Sequence, residues 1–126
     1  MKMRHTMLGG KIHRATVTDA CLEYEGSVTV DSDLLDAAGI LEFEAVHIWN
    51  VTTGSRLTTY ALCGPRGSGT VCVNGAAAHH AAVGDLVIIA CFVELEGPVA
   101  EAWRPRAVFV DGANRAIESR AERLPA

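Results

Sequence analysis

Short runs in which apolar and polar residues alternate, each closed by turn formers, constrain this chain more than any other feature. "SVTVD" (27–31), "AVHIWNV" (45–51), "RLTTYALC" (56–63), "TVCVNG" (70–75) and "AVFVD" (107–111) all read as strands. A continuous apolar run from about Leu86 to Val93 reads as another. "KIHRATVTDACLEY" (11–24) alternates imperfectly and suggests a strand with a break near Asp19. One segment changes period. In "DSDLLDAAGI" (31–40), Asp31 or Ser32 can cap a helix N-terminus and Leu34, Leu35 and Ala38 form an apolar side. Gly39 stands where a helix C′ residue belongs, which predicts a helix of about two turns. "TTGS" between the 45–51 and 56–63 runs predicts a hairpin, and Asn74-Gly75 a turn. The tail beyond Gly112 shows no firm pattern, which predicts a mobile end. Many short strands and few helices predict an all-β barrel or sandwich.

A chain of 126 residues predicts a single domain, 1–126, with a core of Val, Ile, Leu and Ala because aromatics are only 6%. The net charge of -4 argues against a nucleic-acid binder, which needs a basic face. Asp19, Glu23, Glu25, Asp31, Asp33, Asp36, Glu42 and Glu44 lie in a stretch without Lys or Arg. An acidic substrate must therefore find its cations at a few specific positions. The start, "MKMRHTMLGGKIHR", lacks the apolar run of a signal peptide, and no segment approaches the ~20 apolar residues of a membrane span. A cytoplasmic protein without membrane partners is expected.

Several motifs fail on inspection. "GPRGSGT" (64–70) resembles a phosphate loop but lacks its Lys and precedes a strand, so it reads as a hairpin turn. Cys21, Cys63, Cys72 and Cys91 form no CxxC pair and have apolar neighbours, so they read as free, buried thiols with no zinc site. His79 and His80, adjacent on extended backbone, would point apart, and no metal is expected there.

The assembly of segments is more specific than any one of them. "TML-GGKIHRATVT", "YEGSVTVD-DLLDAAGI", "WNVTTGSRLTTYA", "VNGAAAH", "VGDLVIIA" and "WRP" together resemble the pyruvoyl-dependent aspartate decarboxylases of bacterial pantothenate (coenzyme A) synthesis, from about Met7 to Asp111. The resemblance implies a six-stranded double-psi β-barrel with short helices, assembled as a homotetramer with sites at subunit interfaces. It implies a proenzyme that cleaves itself between Gly26 and Ser27, giving a β chain, 1–26, and an α chain, 27–126, in some relatives with a helper protein. Ser27 then becomes a covalent pyruvoyl group, the only cofactor, with neither metal nor PLP. The amine of L-aspartate forms a Schiff base with it, carbon dioxide leaves, and β-alanine is released.

The same resemblance gives the residues their roles. Tyr60 is the proton donor, a task suited to a phenol protonated at neutral pH. Arg56 grips a substrate carboxylate, which its planar fork matches, and Lys11 assists. Thr59 serves substrate and processing, Gly75, Ala76 and Ala77 present backbone amides, and Asn74 lines the pocket. A glycine before Ser27 reduces hindrance to attack and permits strained backbone. In a regular strand Tyr60 and Thr59 face opposite ways, so both can serve only if the strand is irregular or the site lies between subunits. Cys21, Val28 and His80 depart from many relatives without removing a matched functional residue.

Overall fold

The computed structural model describes residues 3–23 and 26–121. Among these, nine strands are numbered in chain order: β1 (Arg4–Thr16), β2 (Asp19–Cys21), β3 (Ser27–Asp31), β4 (Ala45–Asn50), β5 (Arg56–Gly64), β6 (Val71–Asn74), β7 (Leu86–Glu96), β8 (Arg106–Val110) and β9 (Ala116–Ala121). Two short helices, α1 (Ser32–Ala38) and α2 (Gly97–Ala102), and a 3-10 turn at Gly75–His79 complete the chain. The fold is mainly β, in the order β2-β6-β3-β5-β4-β7-β1-β8-β9.

Nine strands stand where six were expected, for two reasons. β1 and β2 are one run of chain interrupted at Val17 and Thr18, whose amides donate to Asp85 and Val71 carbonyls. β8 and β9 are added outside β1. The remaining members are β3 to β7. Their order begins on β2 and ends on β1, so the chain itself joins the two ends of that six-member set.

Alternation along these strands builds the core. Val28 and Val30 of β3, Val46 and Ile48 of β4, Ala61 of β5, Val71 and Val73 of β6 and Val87 and Ile89 of β7 are all buried on one side. Each full burial of a Val or Ile contributes roughly 1.5–3 kcal/mol. α1 adds Leu34, Leu35 and Ala38 to the same cluster. It forms as predicted: the Asp31 carboxylate accepts from the Asp33 N–H at its start, and Gly39 ends it at φ 73°. β3 and the β4–β5 hairpin also match the alternation.

Four expectations need correction. The 64–70 loop is not a hairpin turn, because β5 and β6 both pair with β3, which lies between them. The chain crosses over β3 instead. The tail beyond Gly112 forms β9 on β8, whereas the very end, 122–126, lies outside the described residues. Only Cys91 is a buried thiol; Cys63 is exposed and Cys21 and Cys72 are half-buried, though all four are free. Burial, with Glu44 nearby, pushes the Cys91 thiol up to about 11. His79 and His80 stand at the end of the 3-10 turn and not on extended backbone; both are exposed.

Candidate active site

Strand register builds the site. β3 runs antiparallel to β6 with Ser27 opposite Asn74, and parallel to β5 with Val28 beside Ala61. One step back along the second pairing brings Tyr60 alongside Ser27. Because alternate side chains share a face, the face opposite the core carries Ser27 and Thr29 of β3, Tyr60 of β5, and Cys72 and Asn74 of β6. These residues, with Asp19, line a cavity of about 560 Å³. Ser27 is only 1% exposed. The Asn74 Nδ2 amide donates to Ser27 Oγ at 3.1 Å and to Thr29 Oγ1 at 3.2 Å. The Cys72 thiol donates to Asn74 Oδ1 at 3.2 Å.

A second cavity, of about 320 Å³, is lined by Gly26, Thr59, Ala76 and Ala77. Gly26 lines one cavity and Ser27 the other. Thr59 and Tyr60 do face opposite ways on a regular strand, as β4 pairs with β5 without a slip from Arg56 to Tyr60. Their two cavities adjoin successive residues of one peptide bond, so neither an irregular strand nor a second subunit is needed for both to flank it. Gly75 holds φ 61°, a left-handed value that favours glycine, and this opens the 3-10 turn beside Gly26. Gly26 itself is not enforced by crowding. A Cβ there would find the Ala76 amide nitrogen as its nearest neighbour, at 4.0 Å. Tyr24 and Glu25, part of the resemblance, lie outside the described residues.

Arg56 and Lys11 line neither cavity. Arg56 is exposed at the start of β5, four residues and about 13 Å along the strand from Tyr60. Its guanidinium lies over the Trp49 ring, 5.1 Å from the centroid. Trp49 adjoins Phe92, which His47 meets edge-on at 5.0 Å, making a partly exposed aromatic surface on β4 and β7. Lys11 is half-buried on β1, between β7 and β8.

Sequence reasoning missed Thr29, Cys72 and Asp19 as cavity residues. The signal was present for two of them: alternation in "SVTVD" puts Thr29 on the face of Ser27, and in "VCVN" it puts Cys72 on the face of Asn74. The Cys72 thiol is held above its ordinary value, first by burial and then by the neighbouring Asp19 and Cys21. It is a neutral donor at neutral pH. Chemically, the arrangement offers a buried hydroxyl next to a glycyl carbonyl, an amide donor on that hydroxyl, and a phenol in the same cavity. Among the described residues, no group of three or more His, Cys, Asp or Glu side chains gathers to hold a metal ion.

The sequence model of the aspartate decarboxylase family matches residues 3–117. The aspartate 1-decarboxylase of Myxococcus xanthus is 54% identical over 123 residues, covering 98% of this chain and 95% of that one. That of Albidiferax ferrireducens is 53% identical over 118 residues, covering 94% and 87%. Among solved structures, the computationally designed msDPBB_sym2 protein shares 19% identity at a TM-score of 0.44, over 68% of this chain and 96% of that one. That likeness is too distant to bear on topology.

Proposed function

The chain belongs to the aspartate decarboxylase family, and on that premise we propose that it is a proenzyme which cuts itself between Gly26 and Ser27 and decarboxylates L-aspartate to β-alanine with the pyruvoyl group so formed. The carrying observation is the register that sets Ser27 between Tyr60 and Asn74, with all three lining one cavity.

Self-cleavage needs only this chain's atoms and water. Ser27 Oγ attacks the Gly26 carbonyl carbon and gives up its proton. The C–N bond breaks, the nitrogen takes a proton, and an ester replaces the amide. Loss of the Ser27 α-proton then forms a Cα–Cβ double bond and breaks Cβ–Oγ, whose electron pair leaves on the Gly26 carboxylate. Water adds to the resulting enamine and ammonia departs, leaving a ketone at position 27. The residues present fit such a group: a buried Ser27 side chain opens on a cavity with an amide donor already at Oγ. Once formed, the pyruvoyl carbonyl supplies the electron sink for decarboxylation of an amino acid condensed with it.

The surrounding side chains bind and protonate. Tyr60 supplies the proton that the substrate Cα needs after carbon dioxide has gone. Thr59 and the Gly75–Ala77 segment stand on the Gly26 side, where hydroxyl and backbone N–H groups serve the carbonyl under attack. Asn74 serves the Ser27 side. Arg56 and Lys11 provide the cations for a dicarboxylic substrate. Because neither lines a cavity with Ser27 in one subunit, their use favours a homotetramer whose sites lie between subunits, and the aromatic surface beside Arg56 suits such a seat. The product, β-alanine, fits a role in pantothenate and coenzyme A synthesis in the cytoplasm. No described helix is long and apolar enough to cross a membrane. Maturation with a helper protein is part of the same reading.

Intact mass of freshly purified protein, followed by a β-alanine assay, tests the proposal. Two pieces, 1–26 and 27–126, with the larger one lacking the Ser27 amine, are expected, together with β-alanine from aspartate. A single uncut chain that releases no carbon dioxide would overturn it.

A further inference from the structure

The Asn74 side chain has two nearly isosteric orientations, and its partners decide between them. Two of those partners are hydroxyls, Ser27 Oγ and Thr29 Oγ1, at 3.1 and 3.2 Å. The Thr29 hydroxyl can either donate or accept, so it selects no orientation. The third partner is the Cys72 thiol, 3.2 Å from Oδ1. A neutral S–H donates to an amide oxygen, whereas sulfur is a poor acceptor for an amide N–H. Cys72 therefore favours the orientation with Oδ1 toward sulfur and NH2 toward Ser27. We infer that Cys72 is a positioning residue for self-cleavage, its thiol holding the Asn74 amide so that the NH2 group faces Ser27.

This inference rests on the self-cleavage proposed above and gives Asn74 a step within it. With the NH2 toward Ser27, Oγ accepts from Asn74 and does not spend its own hydrogen on an amide oxygen. After the amide-to-ester exchange, Oγ is the bridging ester oxygen. It must then leave with the electron pair of the Cβ–Oγ bond, and an N–H donor aimed at it stabilises the charge it gains. In the flipped orientation an oxygen lone pair would face that charge and oppose the same step. Geometry makes the link direct. Cys72 and Asn74 are two apart on β6 and share a face, and Asn74 is opposite Ser27 in the β3–β6 pairing.

The test follows the rate of appearance of the 1–26 and 27–126 pieces by intact mass in full-length protein. Cys72→Val fills the site without a donor and should slow cleavage about 3- to 10-fold, the scale of one oriented hydrogen bond. Cys72→Ser keeps a donor and should recover most of that loss, a rescue that a pure packing role would not produce. In an Asn74→Ala background, Cys72→Val should add almost nothing, since its effect passes through the missing amide. A parent chain that is cut while Cys72→Val is cut equally fast overturns this inference alone, as does a Cys72→Val loss that persists in the Asn74→Ala background. A parent chain that is never cut overturns the self-cleavage proposal and this inference together.

Discussion

The two ends of β3 contain polar side chains of nearly equal burial and opposite character. At its C-terminal end, Asp31 is 3% exposed. One of its oxygens accepts from the backbone N–H groups of Asp33 and Gly67 and the other from Gly69. Burial alone would raise its carboxyl; the three backbone bonds, led by that of Gly69, and the Arg115 charge hold it below the usual carboxylate range. At the N-terminal end, Ser27 is 1% exposed but opens on a cavity, and its neighbours there include a neutral amide and a phenol. A charge that is answered on every side fixes a loop. A hydroxyl beside a cavity and an adjoining carbonyl suits the self-cleavage proposed above. Strand β3 places both, one at each end of five residues.

Ser27→Ala attacks one end only. It should abolish cleavage outright, seen as a single mass, while the urea midpoint stays close to that of the uncut parent; a normal two-piece pattern would refute the role of Oγ. Tyr60→Phe should leave cleavage intact and reduce β-alanine formation per cleaved chain by about 10²–10⁴-fold, the scale of general acid catalysis. Near-normal turnover would remove Tyr60 as the proton donor. Asp31→Asn attacks the other end. An NH2 group would face one of the three N–H donors, and urea unfolding should show a loss of about 1–3 kcal/mol at neutral pH.

The pH dependence sharpens the contrast. A carboxyl whose folded value lies below 3.8 stabilises the protein above that pH, and the contribution is lost as pH falls through and beneath it. Asp85 and Asp111 are also lowered, chiefly by backbone bonds from Ala82 and Arg115 respectively, and add to the same acid loss. The parent should therefore keep its full advantage over Asp31→Asn down to about pH 3.8 and lose it as pH falls below that, through the lowered folded value, and a difference that stays unchanged on acidification would show that Asp31 is not the charged anchor. Arg66→Ala is the smallest change. Its ion pairs with Asp33 and Asp36 are more than half exposed, so the urea midpoint should barely move.

Local chemistry made some elements legible and hid others. β3 and α1 could be read because alternation gives way to a capped apolar stripe at Asp31, and Gly39 closes it. β9 was missed because "AIESRA" is charged and lies at the sheet edge, pairing with β8 alone. α2 was missed because a six-residue segment holding Gly97 and Pro98 carries no helical period. The β5–β6 loop was misread because nothing local reveals that β3, far earlier in the chain, will lie between its flanks. Its Gly67 and Gly69 amides look available in the sequence, yet Asp31 already occupies both. For the site, the resemblance supplied Ser27, Tyr60 and Asn74, and the register explains why they meet. Cys72 was dismissed as a bland thiol because its partner bond depends on a side-chain rotamer that no pattern encodes.

The interrupted first strand has a consequence for what a cut at Gly26–Ser27 would leave behind. β1 is held between β7 and β8, and β2 lies along β6. Both belong to the 1–26 piece, which therefore grips the larger fragment at two separate places. The pieces should elute together in native buffer and part only in denaturant. Refolding of each mature subunit then becomes a bimolecular reaction between its two pieces, whereas the uncut Ser27→Ala chain completes its own fold without that encounter. At high dilution a mature copy, once unfolded, would lose its smaller fragment to diffusion before the two could find each other again.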